Sequence, residues 1–154
     1  MDALLLFLSK YVFGYFLQDV VFIMGIYTFG KEKLDKKTFL LMISVFIPTN
    51  IIVKVLPMSY GINILINIAV VLYITYRFCE FELYSIIRST LTTTLLVLFT
   101  EMACVGCLLM LFGKNTADLI LQTPVLKASV YIPFNCLLAF FIYLCYRRMI
   151  SKNY

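Results

Sequence analysis

The sequence predicts an all-α, polytopic membrane protein with about five transmembrane helices, its amino terminus outside and its carboxyl terminus cytoplasmic. Three observations predict it. Apolar residues make up 63% of the 154 residues, aromatics 16% and charged residues only 14%, far from the balance of a soluble domain. The apolar residues fall into continuous stretches close to the roughly 20 residues a helix needs to cross a bilayer. The basic residues are segregated into alternate connections, and cytoplasmic loops carry the Lys and Arg excess. The whole chain therefore reads as one transmembrane domain.

The first stretch, residues 4–29, is interrupted by Lys10, Gln18 and Asp19 and ends at the polar linker GKEKLDKK. Asp2 stands where a basic leader would be needed, and no small-residue cleavage motif follows, so this stretch is not read as a cleaved signal peptide. The second, residues 38–56, holds Pro48, Asn50 and Lys54 and stops at PMSYG, where Pro57 and Gly61 frame a tight turn. The third, residues 62–76, is short and must gain residues from the turn or sit beside thinned lipid. It leads into RFCEFELYSIIR, whose mixed charges and large apolar side chains suit a helix at the interface or extending out of it. The fourth stretch, residues 89–112, precedes GKNTADLILQTPVLKAS, a longer connection with a short interfacial helix around Leu119 to Leu121 and a turn at Pro124. The fifth, residues 131–146, ends in RRMISKNY.

Orientation follows from the connections. Lys31, Lys33, Lys36 and Lys37 occupy the first, Arg77 and Arg88 the next one on the same side, and Arg147, Arg148 and Lys152 the tail. Lys114 and Lys127 alone flank spans on the other side. The net charge of +5 is thus an orientation signal, and nucleic acid is not an expected partner. The expected location is the cell membrane, with lipid as the first partner.

Ionisable residues inside the spans carry the functional information, because each costs about 2.5–3.5 kcal/mol at the bilayer centre unless paired, neutralised or hydrated. Lys10, Asp19, Lys54 and Glu101 qualify. At the helical rise, Glu101 lies roughly 16 Å below the outer end of its span, Lys10 roughly 9 Å and Lys54 about 3 Å, so Lys54 can snorkel. Glu101 has three available fates: pairing with a Lys, sharing a proton with Asp19, or protonation by desolvation. Polar residues recur at helical spacing around it. Lys10, Gly14 and Gln18 share one face, Asn50 and Lys54 another, and Asn63 and Asn67 a third. Such faces turn inward in bundles. One reading is a ligand-binding cavity open to the outer side, lined by Lys10, Gln18, Asn50, Lys54, Asn63 and Asn67 with Glu101 near its floor. The other is that the amides are interhelical glue and the charges pair.

The five cysteines, Cys79, Cys104, Cys107, Cys136 and Cys145, sit mostly within spans, where a thiol behaves as a small hydrophobe and no disulfide framework is implied. Glu101, Cys104 and Cys107 recur every three residues, but a soft-metal site wants more ligands and the chain has no His. Without His there is no usual base for a Cys or Ser nucleophile, and no glycine-rich phosphate loop is present. Neither an enzyme, nor a metal, nor a cofactor is expected. Gly106 is the candidate for close helix approach near Glu101.

The segment NIIVKVLPMSYGINILIN, with Lys54, Leu56, Pro57 and Gly61 leading into an apolar helix, resembles the amino-terminal membrane domain of bacterial GHKL-type sensor histidine kinases, a class that includes receptors for peptide pheromones. The similarity extends over about residues 18–148, through a mid-span acid matching Glu101 and a loop resembling TPVLKA. It departs at Asn63, where that family leads one to expect a His, and in ending at Tyr154 without a kinase domain. The resemblance implies a receptor-like or regulatory module of a two-component, quorum-sensing type of signal transduction. Such a module would sense an extracellular peptide or small ligand and act through a membrane-protein or kinase partner, as a homodimer by analogy. The alternative is a small transporter component or an assembly subunit in which Glu101 and Asp19 serve a substrate or proton path.

Overall fold

The computed structural model describes residues 16–55, 60–79 and 81–152. Every element among them is helical: α1 (Phe16–Gly30), α2 (Lys36–Val55), α3 (Tyr60–Phe78), α4 (Leu83–Gln122) and α5 (Pro124–Lys152). The helices α2 to α5 are long and apolar enough to cross a membrane, and α1 is a shorter apolar helix. The chain is a polytopic helical protein, as its composition requires. The part of the first predicted stretch before Phe16, including Lys10, and the Pro57 turn lie outside the described residues.

Burial is inverted relative to a water-soluble bundle. Leu95, Phe99, Met102, Met110 and Leu137 are exposed, while Asp19, Asn50, Ser89, Thr90, Thr93 and Asn135 are buried. A surface of this apolar character is matched to lipid, and the polar side chains are kept where other helices can satisfy them.

Helix α1 lies against α2, α4 and α5, and α3 packs on α2 and α4. One apolar cluster joins Ile23, Ile26 and Tyr27 of α1 to Met42 and Phe46 of α2 and to Val71 and Ile74 of α3. A second joins Val21 to Val97 of α4 and to Leu138 and Ile142 of α5. Between α1 and α4 the approach is close: a Cβ added at Gly25 would stand 2.6 Å from Thr93 Cγ2. The Thr93 hydroxyl at this contact needs no partner across it, because it donates to Ser89 O at 2.8 Å, as its neighbours Thr92 and Thr94 donate to the carbonyls four residues back. Gly106, by contrast, has nothing among the described residues within 4 Å of where its Cβ would be.

The basic end of the bundle is tied together. Lys31 takes a left-handed conformation (φ 62°), and Glu32 N donates to Tyr27 O at 3.1 Å while Lys31 N donates to Thr28 O at 3.3 Å, closing α1 with a Schellman turn. Ser85 Oγ donates to Gly30 O at 2.9 Å and the Arg88 guanidinium to Phe29 O at 3.2 Å, so α4 supplies donors to the last carbonyls of α1. Leu34 N donates to Tyr146 Oη of α5 at 3.0 Å. Asp35 starts α2: its carboxylate accepts from Thr38 Oγ1 at 2.7 Å and Thr38 N at 3.0 Å. Those two bonds hold the Asp35 carboxyl below the usual carboxylate range. Close by, Tyr27 Oη, Met42 Sδ and Cys79 Sγ meet at 3.5–3.8 Å.

The start of α4 differs from the sequence reading. The segment RFCEFELYSIIR divides at a turn, and Leu83 to Arg88 form the first turns of α4 rather than a separate interfacial helix. The expected end of the fourth stretch at 112 coincides with Gly113, after which the expected short helix follows, and the φ of 74° and ψ of 168° at that residue break α4. That region is open essentially to glycine alone. The helix resumes to Gln122, and Pro124 then opens α5, where its missing N–H costs nothing.

Candidate functional site

At mid-depth, α1 carries two consecutive polar residues, and a helix turns about 100° per residue, so Gln18 and Asp19 address different neighbours. Gln18 Nε2 donates to Glu101 Oε1 of α4 at 2.8 Å. Asp19, 2% exposed, accepts from Asn50 Nδ2 of α2. Asn50 Oδ1 in turn accepts from Asn67 Nδ2 of α3 at 3.1 Å. One polar layer thus runs through four helices with α1 at its hub. Asp19 lies about 16 Å along α1 from Gly30, Asn50 about 21 Å along α2 from Lys36, and Glu101 about 20 Å along α4 from Arg88.

The carboxyl of Glu101 faces α1, half-buried, and not the outer surface of the bundle. Of the residues singled out from sequence, the structure joins Gln18 to Glu101 and Asn50 to Asn67. Asn63 stands one turn from Asn67 on α3, and its Oδ1 is buried with no hydrogen-bond partner among the described residues. The Oδ1 of Asn67 is buried and unpartnered in the same sense. Lys54 continues the helix of α2 one turn beyond Asn50; its side chain, like the whole of Lys10, lies outside the described residues.

Asp19 belongs to the layer as fully as any residue expected there. Sequence reasoning counted it among the costly charges but not among the site residues; the adjacent pair Gln18–Asp19 within an apolar stretch was the available signal. The threonine-rich run of α4 was missed too, and its signal was the four-residue spacing of Ser85, Ser89 and Thr93. Glu101, Cys104 and Cys107 do not share an environment despite their spacing: Glu101 is half-buried, Cys104 buried and Cys107 exposed.

Chemically, the layer offers two carboxylates and amide oxygens. Two of those oxygens, on Asn63 and Asn67, have acceptor capacity left over. The layer therefore suits a group that donates hydrogen bonds. No family model matches this chain, and neither a curated protein nor a solved structure does.

Proposed function

We propose that the chain is a receptor-like or regulatory protein of the bacterial cell membrane, with its amino terminus outside, that recognises a peptide or small ligand, or the spans of a partner protein, through its polar layer. It passes the change on by contact and has no catalytic output of its own. The observation that carries this reading is the layer itself, a mid-membrane set of amides and carboxylates linking α1 to α2, α3 and α4 with acceptor oxygens of Asn63 and Asn67 to spare. A ligand donating N–H groups to Asn67 would act on Asn50 and Asp19 through the same chain of bonds. The basic end, where α1, α4 and α5 are tied together, is the surface a kinase or membrane-protein partner would read. The resemblance of the Lys54 to Gly61 segment to sensor-kinase membrane domains supports the same direction.

The test is binding of a fluorescent peptide library to the chain in nanodiscs, comparing the wild type with Asn67→Leu and Glu101→Gln proteins that keep its melting curve. A peptide bound by the wild type and lost in both variants is the expected result. Peptides held equally by all would remove the layer from ligand recognition. The two mid-depth acids also favour a second reading, a transporter component. Proton flux or solute uptake in liposomes holding this chain alone, abolished by Asp19→Asn, would establish that reading instead.

A further inference from the structure

Away from the polar layer, a groove of about 680 Å³ runs between α2 and α3 on the outer surface of the bundle. Its walls include Val45, Ala69, Val70, Tyr73 and Phe78, and Arg77 stands at one end. We infer that this groove holds one anionic phospholipid, an acyl chain along the α2–α3 seam and the phosphate on Arg77. The groove extends from Ala69 to Phe78, about 14 Å at the helical rise, close to the thickness of one leaflet's hydrocarbon.

The charge complementarity comes from Arg77. It lies one residue inside the end of the apolar window of α3, so its guanidinium reaches headgroup level by snorkelling. Among the described residues it has no carboxylate or carbonyl partner. The guanidinium of Arg88 differs, since it already donates to Phe29 O and lies 5.8 Å from the Tyr84 ring. A phosphate oxygen pair is the natural partner for an unspent guanidinium at this depth, and basic pockets between transmembrane helices are where anionic headgroups are held. Tyr76, 64% exposed, stands beside Arg77 near that level, as aromatic belts do, and Tyr73 lies one turn further in. Apart from Arg77 and the Tyr73 phenol the walls are apolar: the one hydroxyl among the α2 residues lining the groove, Thr49 Oγ1, is committed to Val45 O at 2.8 Å.

The experiment titrates the purified chain with phosphatidylglycerol or phosphatidylcholine and counts retained lipid by native mass spectrometry. The wild type should retain one phosphatidylglycerol in preference to phosphatidylcholine. Arg77→Gln should lower that preference about fivefold, the equivalent of one basic residue at the membrane surface. Arg77→Lys should keep part of it. Ala69→Phe, which fills the groove from an exposed position, should reduce retention of both lipids alike. Both sites face outward, so the variants should keep the wild-type melting curve. An undiminished preference in Arg77→Gln, or one lost equally in the tail variant Arg148→Gln, would overturn the assignment. So would a cysteine at Tyr73 that cross-links to a second copy in native membranes while added phosphatidylglycerol leaves the cross-linking rate unchanged, since protein would then occupy the groove.

Discussion

Replacing Gly25 by alanine tests whether the α1–α4 crossing sets the register of the polar layer. The added Cβ would meet Thr93 Cγ2 at 2.6 Å and Oγ1 at 2.8 Å. Carbon atoms in contact prefer about 3.5–4.0 Å, so the two helices must separate by about 1 Å. Rotation of Thr93 offers no escape, because both branches lie in the way and Oγ1 is bonded to Ser89 O at 2.8 Å. Overpacking of this kind costs about 1–3 kcal/mol. With Thr93→Ala in the same chain, the nearest remaining atom is the Cβ at 3.3 Å, which a shift of tenths of an ångström accommodates. The double variant should therefore be more stable than the sum of the single effects predicts, by about 1 kcal/mol or more. Unfolding of the four proteins in mixed micelles measures the cycle. A strictly additive pair, or a neutral Gly25→Ala, would refute the close contact.

Asn50→Leu takes the donor from Asp19 and the acceptor from Asn67 in one step, and should destabilise the bundle by about 1–3 kcal/mol in micelle unfolding, with Asn67→Leu costing less. Lys31→Gly relieves a left-handed conformation that costs an ordinary residue roughly 1 kcal/mol, and should raise the unfolding midpoint. Asp35 gives a pH signature. Its carboxyl is held low in the folded chain, so its contribution is present above the unfolded value of about 3.9 and is lost as pH falls through the folded value. Amide exchange at the start of α2 should accelerate in that acid window, and Asp35→Asn should keep the helix start while flattening the pH dependence.

The spans were legible because lipid imposes length and apolarity on every crossing element. The third predicted stretch, 62–76, was short by itself and gains its missing residues from the turn, starting at Tyr60 and ending at Phe78. Helix ends on the basic side were less legible. Whether Leu83 to Arg88 is interfacial or continuous with α4 depends on Ser85 and Arg88 reaching the carbonyls of α1, a tertiary contact with no local pattern. The break at Gly113 was legible, because the apolar stretch ends at residue 112 and the polar GKNTAD run follows. In the layer, inward-facing amides followed from helical spacing, but pairing did not. Gln18 donates to Glu101 while Asp19 accepts from Asn50, a division set by which helices α1 packs against, and the close α1–α4 approach falls on Gly25.

The threonine ridge and the polar layer show two different uses of polar atoms within one bundle. Thr92, Thr93 and Thr94 pair with their own helix and ask nothing of a neighbour, so Thr93 packs against Gly25 at little cost. The layer does the opposite, joining side chains from four helices around two acids. A hydrogen bond between membrane helices contributes about 0.6 kcal/mol on average, whereas an acid at mid-depth costs about 2.5–3.5 kcal/mol. Packing alone would be served better by more threonine, of which α4 has a ready supply. The threonines therefore pack helices together, whereas the layer links them and leaves the Oδ1 atoms of Asn63 and Asn67 without a hydrogen-bond partner among the described residues.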